Sequence, residues 1–211
     1  MPAVDAWVIR RACREAADWA TQGVALTLAL NVSAQSVTPA LVATTIEALR
    51  ASGLPPRQLE FELTETALLN AEDTGVVDVL QQLAALGVGL SIDDFGTGYG
   101  SLLYLRSLPI AAIKIDRRFV QAAPGTAQDA AIVKSLLDLG RTLELRVVAE
   151  GVETAEQLAL LRELGCETAQ GYFFSPPVPG AEAVRHGRAQ GESAAGLLPD
   201  AAVADADRLA G

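Results

Sequence analysis

From Val4 to Ala20, apolar residues recur at helical spacing (Trp7, Val8, Ala12, Ala16, Trp19), with Arg10, Arg11, Arg14 and Glu15 between them. The period then changes. Ala25–Ser33 is short, apolar and strand-like and ends in Asn31-Val32-Ser33. A helix is predicted from about Thr38, with Pro39 in its first turn, to Ala51, where Gly53 and Pro55-Pro56 stop it. The same unit repeats along the chain. Strands are predicted at Leu59–Glu65, Val88–Asp94, Ala111–Asp116, Arg146–Glu150 and Thr168–Phe174, and helices at Asp73–Leu86, Ser101–Ser107, Ala127–Leu143 and Ala155–Leu164. Gly87, Gly140 and Gly165 stand where these helices should end, as a left-handed C-cap requires. One more helix is expected beyond Pro179, with His186 on it facing solvent. From Gly191 the chain is rich in Ala, Gly and Asp without periodicity, so one domain over 1–190 and a disordered tail over 191–211 are expected.

Strand–helix alternation implies an α/β protein with parallel strands joined by right-handed crossovers. An open doubly wound sheet and a closed barrel both satisfy that rule. An open sheet gathers its ligands at one switch point, yet here most strands end in a polar or acidic residue. A barrel brings every strand end to one rim, where its active site lies, and the barrel is the better fit. Closure takes eight strands and typically ~250 residues. The expected fold is therefore a (β/α)8 barrel, N-terminally incomplete, with six of eight strands and the other two belonging before Val4.

Alternation within a strand sends one set of side chains inward and the other toward the helices. In Leu59–Glu65 the apolar set Leu59, Phe61 and Leu63 packs outward, leaving Glu62 and Thr64 at the mouth. The same rule places Asn31, Asp93, Lys114, Asp116, Glu150 and Gln170 there, with Asp94 in the loop just above. Taken singly, Glu65 or Asp116 reads as a solvated loop charge or helix N-cap, and Lys114 as a surface lysine. Convergence changes that reading. Several carboxylates facing one mouth repel each other, and one lysine cannot balance them. Carboxylate and amide oxygens are the set that suits Mg²⁺ or Mn²⁺, and the adjacent Asp93-Asp94 pair can serve two ions at once.

Composition narrows the class. A net charge of −10 argues against DNA or RNA as partner. The two cysteines, Cys13 and Cys166, lie outside any metal-ligand spacing and read as buried free thiols of a cytoplasmic protein. No apolar run reaches the roughly 18 residues of a membrane span. The glycine-rich run Asp94-Phe95-Gly96-Thr97-Gly98-Tyr99-Gly100 is neither Gly-x-Gly-x-x-Gly nor a P-loop. Its Asp-Phe-Gly lacks the other kinase motifs. Trp7 and Trp19 read as core anchors.

Six motifs follow in order: Asn31-Val32-Ser33, Glu62-Leu63-Thr64-Glu65, Asp93-Asp94-Phe95-Gly96-Thr97-Gly98-Tyr99, Lys114-Ile115-Asp116, Ala149-Glu150-Gly151-Val152-Glu153-Thr154 and Gln170-Gly171-Tyr172. From about Val4 to Pro179 the chain closely resembles the EAL domain, the bacterial phosphodiesterase family that hydrolyses cyclic di-GMP. The resemblance implies a (β/α)8 barrel holding two Mg²⁺ or Mn²⁺ ions and opening the cyclic dinucleotide to linear pGpG. It implies Asn31, Glu62, Asp93, Asp94 and Glu150 as metal ligands, with Gln170 holding metal-bound water. Lys114 resembles the lysine that positions the nucleophile and steadies the phosphate. Lys114, Glu150 and Asp93 are thus the expected catalytic residues. Glu153 looks like a guanine-side contact, and Asp116 is expected beside it at the substrate. Glu65 resembles the glutamate that anchors the Asp-Asp-Phe-Gly-Thr-Gly loop, a segment linked to dimerisation, so a homodimer is expected. Upstream sensory or GGDEF-type domains in a longer product would fit. The family's Glu-Ala-Leu strand, whose glutamate is a metal ligand, does not precede the first helix here. The alternative is therefore a noncatalytic EAL-like module that binds cyclic di-GMP or a protein partner.

Overall fold

A computed structural model describes residues 2–65, 74–97, 105 and 107–191. The elements are α1 (Pro2–Thr21), β1 (Leu28–Asn31), α2 (Pro39–Ser52), β2 (Leu59–Thr64), α3 (Thr74–Ala85), β3 (Gly89–Phe95), β4 (Ala112–Ile115), α4 (Arg117–Ala122), α5 (Ala127–Thr142), β5 (Arg146–Ala149), α6 (Ala155–Glu163), β6 (Thr168–Ala169) and α7 (Gly180–Gly191). Single 3₁₀ turns lie at Ala34–Ser36 and Pro56–Gln58. The strands follow chain order, β1-β2-β3-β4-β5-β6. The chain divides into two compact units, Met1–Ile113 and Lys114–Gly211, with the boundary inside β4.

In the first unit β1 pairs parallel with β2 and β2 with β3, in a register that sets Asn31 beside Glu62 and Thr64 beside Asp93. Leu59, Phe61 and Leu63 of β2 and Leu90 and Ile92 of β3 are essentially inaccessible to solvent. Each such side chain contributes about 1.5–3 kcal/mol by leaving water. That burial holds the strands in register, since a one-residue slip would turn Glu62 into the apolar layer. Pro39 starts α2, and Gly53 closes it at φ 73°, the left-handed conformation that Gly adopts without a Cβ penalty. Helix α1 packs on α2 through a stripe of Ile9, Cys13 and Ala16. Burial of Cys13 pushes its thiol up to about 11.

Trp7 falls off that stripe. It is 58% exposed, with the Arg11 guanidinium 5.4 Å from its ring centroid, so it is no core anchor. Asp94 is also placed differently from expectation: it belongs to β3 rather than to a loop above it, at φ 54°.

The second unit builds its core from Ile115, Val120, Val133, Leu137, Ala149, Val152, Leu158 and Leu161, with Phe173 and Phe174 packed against it and edge to face with each other. Strand β5 pairs parallel with β6. Thr154 caps α6 reciprocally with Gln157. Gly140 ends no helix. It lies inside α5, where a Cβ would come 2.1 Å from Val147 Cγ2 of β5, so its missing side chain permits close packing. The other two glycines do terminate helices, Gly87 at φ 90° and Gly165 at φ 77°. Strand β6 stops after two residues because Gly171 and Tyr172 turn the chain, and Phe173 N–H donates to Val152 O at 2.9 Å. The helix expected at Ser101–Ser107 falls mostly outside the described residues, as do the tail after Gly191 and the side chain of His186.

Candidate functional site

Each unit carries its own set of polar side chains at the strand ends. In the first, Asn31 closes β1, and its Nδ2 donates to Glu62 Oε2 at 3.2 Å. The next bond of the ladder, Val32 N–H to Glu62 O at 2.9 Å, fixes the height of both residues. Glu62 is 7% exposed, a carboxylate almost wholly withdrawn from water. Asp93 follows on β3, half-buried, and Asp94 is exposed. A positive φ is rare outside Gly but tolerated by Asp; at Asp94 it breaks the in–out alternation just where two successive carboxylates occur. Glu65 is buried, and its Oε2 accepts from Gly96 N–H at 3.3 Å. Thr97 Oγ1 donates to Asp94 O at 2.9 Å, which further ties the start of the glycine-rich loop.

In the second unit Lys114 is buried on β4 and its ammonium is ion-paired with Glu150 Oε1. The surface-lysine reading is thereby excluded. Gln170 Nε2 donates to the same Glu150 oxygen at 2.6 Å. Backbone bonds position two of the three: Glu150 N–H to Ile115 O at 3.1 Å and Gln170 N–H to Ala149 O at 2.9 Å. Asp116 is buried and caps α4, accepting from Arg118 N–H at 2.7 Å and Arg118 Nε at 3.1 Å. Glu153 follows in the turn before α6. Gly151 permits that turn at φ 70°, since a Cβ there would meet Arg117 Cβ at 2.3 Å.

Sequence reasoning missed two supporting groups. Asp5, in the first turn of α1, accepts hydrogen bonds from Ser33 and Ser36 in the segment just after Asn31. Gln121, on the six-residue α4, donates from Nε2 to Glu153 Oε1 at 3.1 Å. No spacing motif links either residue to its partner. The tripeptide Glu47-Ala48-Leu49 does occur, but on α2, where Glu47 pairs with Arg10 at 3.1 Å on the exposed helical surface. It supplies no strand-end ligand.

The EAL domain profile matches residues 1–177. The chain belongs to the EAL domain family. Cyclic di-GMP phosphodiesterase NbdA of Pseudomonas aeruginosa is 47% identical to it over 179 residues, 83% of this chain and 23% of that protein. The solved PaMucR phosphodiesterase in complex with c-di-GMP superposes with a TM-score of 0.80 at 43% identity, over 86% of this EAL chain and 74% of that one. The EAL domain of Mycobacterium smegmatis DcpA gives 0.82 at 36%, over 92% and 85%. The present EAL chain spans about a quarter of the length of the curated relatives it matches. Its architecture is the α/β barrel type of these neighbours, with six strands among the described residues. Among the described residues no helix is long and apolar enough to cross a membrane.

Proposed function

We propose that this EAL domain serves the hydrolysis of cyclic di-GMP to linear pGpG with two divalent ions, Mg²⁺ or Mn²⁺. The observation that carries the reading is the pair of polar sets built at the strand ends, one around Asn31 and Glu62 and one around Glu150. The donor chemistry fits hard divalent ions: carboxylate oxygens of Glu62, Asp93, Asp94 and Glu150, and amide oxygens of Asn31 and Gln170, with no sulfur or imidazole. The Asn31 and Gln170 amides donate through nitrogen to neighbouring carboxylates, which leaves their carbonyl oxygens as the coordinating atoms. Ions bound there would polarise the phosphoryl oxygen and generate a nucleophile at neutral pH.

The remaining work falls to the protein. Lys114 brings a buried positive charge that steadies the phosphate as negative charge builds on it. Glu150, bonded to Lys114 and Gln170, is held in one orientation and can take a proton from the attacking water. In the reaction water adds its oxygen to phosphorus, the bond from phosphorus to the ribose 3′ oxygen breaks, and that oxygen leaves with a proton. Glu153 contacts guanine, Asp116 lies beside the substrate and Glu65 holds the loop that begins at Gly96. A homodimer in the cytoplasm completes the proposal, the latter in keeping with two buried free thiols.

Asp93→Asn and Glu62→Gln should each abolish Mn²⁺ binding, because each removes a charged oxygen from a site assembled to offset carboxylate charge. Titration calorimetry reads this directly, and unchanged affinity in both variants would sink the assignment. A second reading, a noncatalytic cyclic di-GMP receptor, is favoured by the lack of a Glu-Ala-Leu glutamate on any described strand. Dinucleotide binding without pGpG formation would select it.

A further inference from the structure

Glu153 is held at two points. Its backbone N–H donates to Gln157 Oε1 at 2.7 Å, part of the box that starts α6. Its side-chain Oε1 accepts from Gln121 Nε2 at 3.1 Å. Gln121 reaches it from α4, the helix that leaves β4 directly after Lys114 and Asp116. The residue that starts α4 fixes the helix, and the helix fixes the amide: Asp116 caps the first turn through Arg118. Lys114, Asp116 and Gln121 are thus carried on one short stretch of chain that ends at Glu153 through a single hydrogen bond.

We propose that Gln121 is a positioning residue for base recognition, orienting the Glu153 carboxylate so that its two oxygens meet the N1–H and N2–H of guanine. The proposal rests on the reading of Glu153 as the guanine contact. An exposed glutamate is otherwise a poor reader, because it has many rotamers to lose on binding. Fixing it beforehand removes that cost from the binding step. An amide suits the task better than a cation. Each carboxylate oxygen has two acceptor sites, so a neutral donor on Oε1 leaves one site there and both on Oε2, without cancelling the charge that attracts the guanine donors. Adenine would place a ring-nitrogen lone pair against one of these oxygens, so an oriented carboxylate also discriminates between purines.

The test uses the 211-residue chain in EDTA, where no turnover intervenes, and compares binding of cyclic di-GMP with cyclic di-IMP, which lacks the N2 amine. Gln121→Ala should weaken cyclic di-GMP binding roughly two- to twelvefold, the worth of one hydrogen bond, and reduce the preference over cyclic di-IMP. Gln121→Lys, which restores a donor but sets a cation against the carboxylate, should recover little of that preference. In the background of Glu153→Ala, Gln121→Ala should have no further effect. Thermal unfolding should stay unchanged, since position 121 is exposed and Ala favours a helix. If Gln121→Ala keeps the wild-type preference while Glu153→Ala loses it, the positioning role is wrong and the guanine reading stands. If Glu153→Ala leaves the preference intact, or the wild type has none, the guanine reading fails and takes this inference with it.

Discussion

Lys114 and Glu150 form a pair that is almost wholly withdrawn from solvent, their side chains 7% and 14% exposed. Breaking such a pair leaves one charge buried without its counterion, which typically costs roughly 3–5 kcal/mol. Gln170 still donates to Glu150, so the lower end applies here. Lys114→Met keeps the aliphatic stem and removes only the charge. We expect it to lose about 3 kcal/mol of unfolding free energy, measured by denaturant titration without metal. Added Mn²⁺ should stabilise this variant more than the wild type, because the ion replaces the missing positive charge beside Glu150. An equal increment in both proteins would separate Lys114–Glu150 from the metal site. At this scale the sequence, through alternation along the strand, anticipates that Glu62 and Lys114 are withdrawn from solvent. It was a poor guide to what they touch. The Glu153–Gln121 bond joins residues 32 apart, and only the fold brings them together. Trp7 shows the reverse: helical spacing allows a tryptophan on several faces, and this one lies off the buried stripe of α1.

Elements were legible where their hydrophobic period runs long enough to declare itself. Helices α1, α2, α5 and α6 lie within a few residues of their predicted bounds, because each spans at least two turns with an apolar stripe. Helix α4 has six residues and offers no period to read. The aromatic run Tyr172-Phe173-Phe174 imitates a strand, yet Gly171 bends the backbone and the two phenylalanines reach the core from a turn. Gly140 carries the same lesson into energetics. Its role is to let α5 lie on Val147 of β5, so Gly140→Ala should clash despite the better helix propensity of Ala. Overpacking costs typically about 1–3 kcal/mol, and the propensity gain offsets at most about 1 kcal/mol. We expect net destabilisation of up to about 2 kcal/mol by these terms. Val147→Ala removes the clashing methyl, so the double variant should be more stable than the sum of the singles. Strict additivity would show that the two positions do not touch.

For the whole molecule, alternating periods pointed to an α/β barrel before any comparison, and EAL domain structures share that architecture. What no period could reveal is whether this chain meets every demand of the reaction. Its strand ends offer Asn31, Glu62, Asp93, Asp94, Glu150 and Gln170, but no described strand carries a Glu-Ala-Leu glutamate, and Glu47 on α2 is engaged with Arg10. An incomplete carboxylate set binds divalent ions more weakly and activates water poorly. We therefore expect the 211-residue chain, with Mn²⁺ and cyclic di-GMP, to form pGpG far more slowly than about one turnover per second, within the usual enzyme range. Chromatography of the product measures it. Faster turnover would mean that another carboxylate completes the set. Asp116 is the candidate to try first, because it is buried directly after β4, where its bonds to Arg118 would have to yield. In that event Asp116→Asn, which keeps the helix cap but not the charge, should abolish the activity, whereas under the expected outcome it should leave Mn²⁺ affinity unchanged.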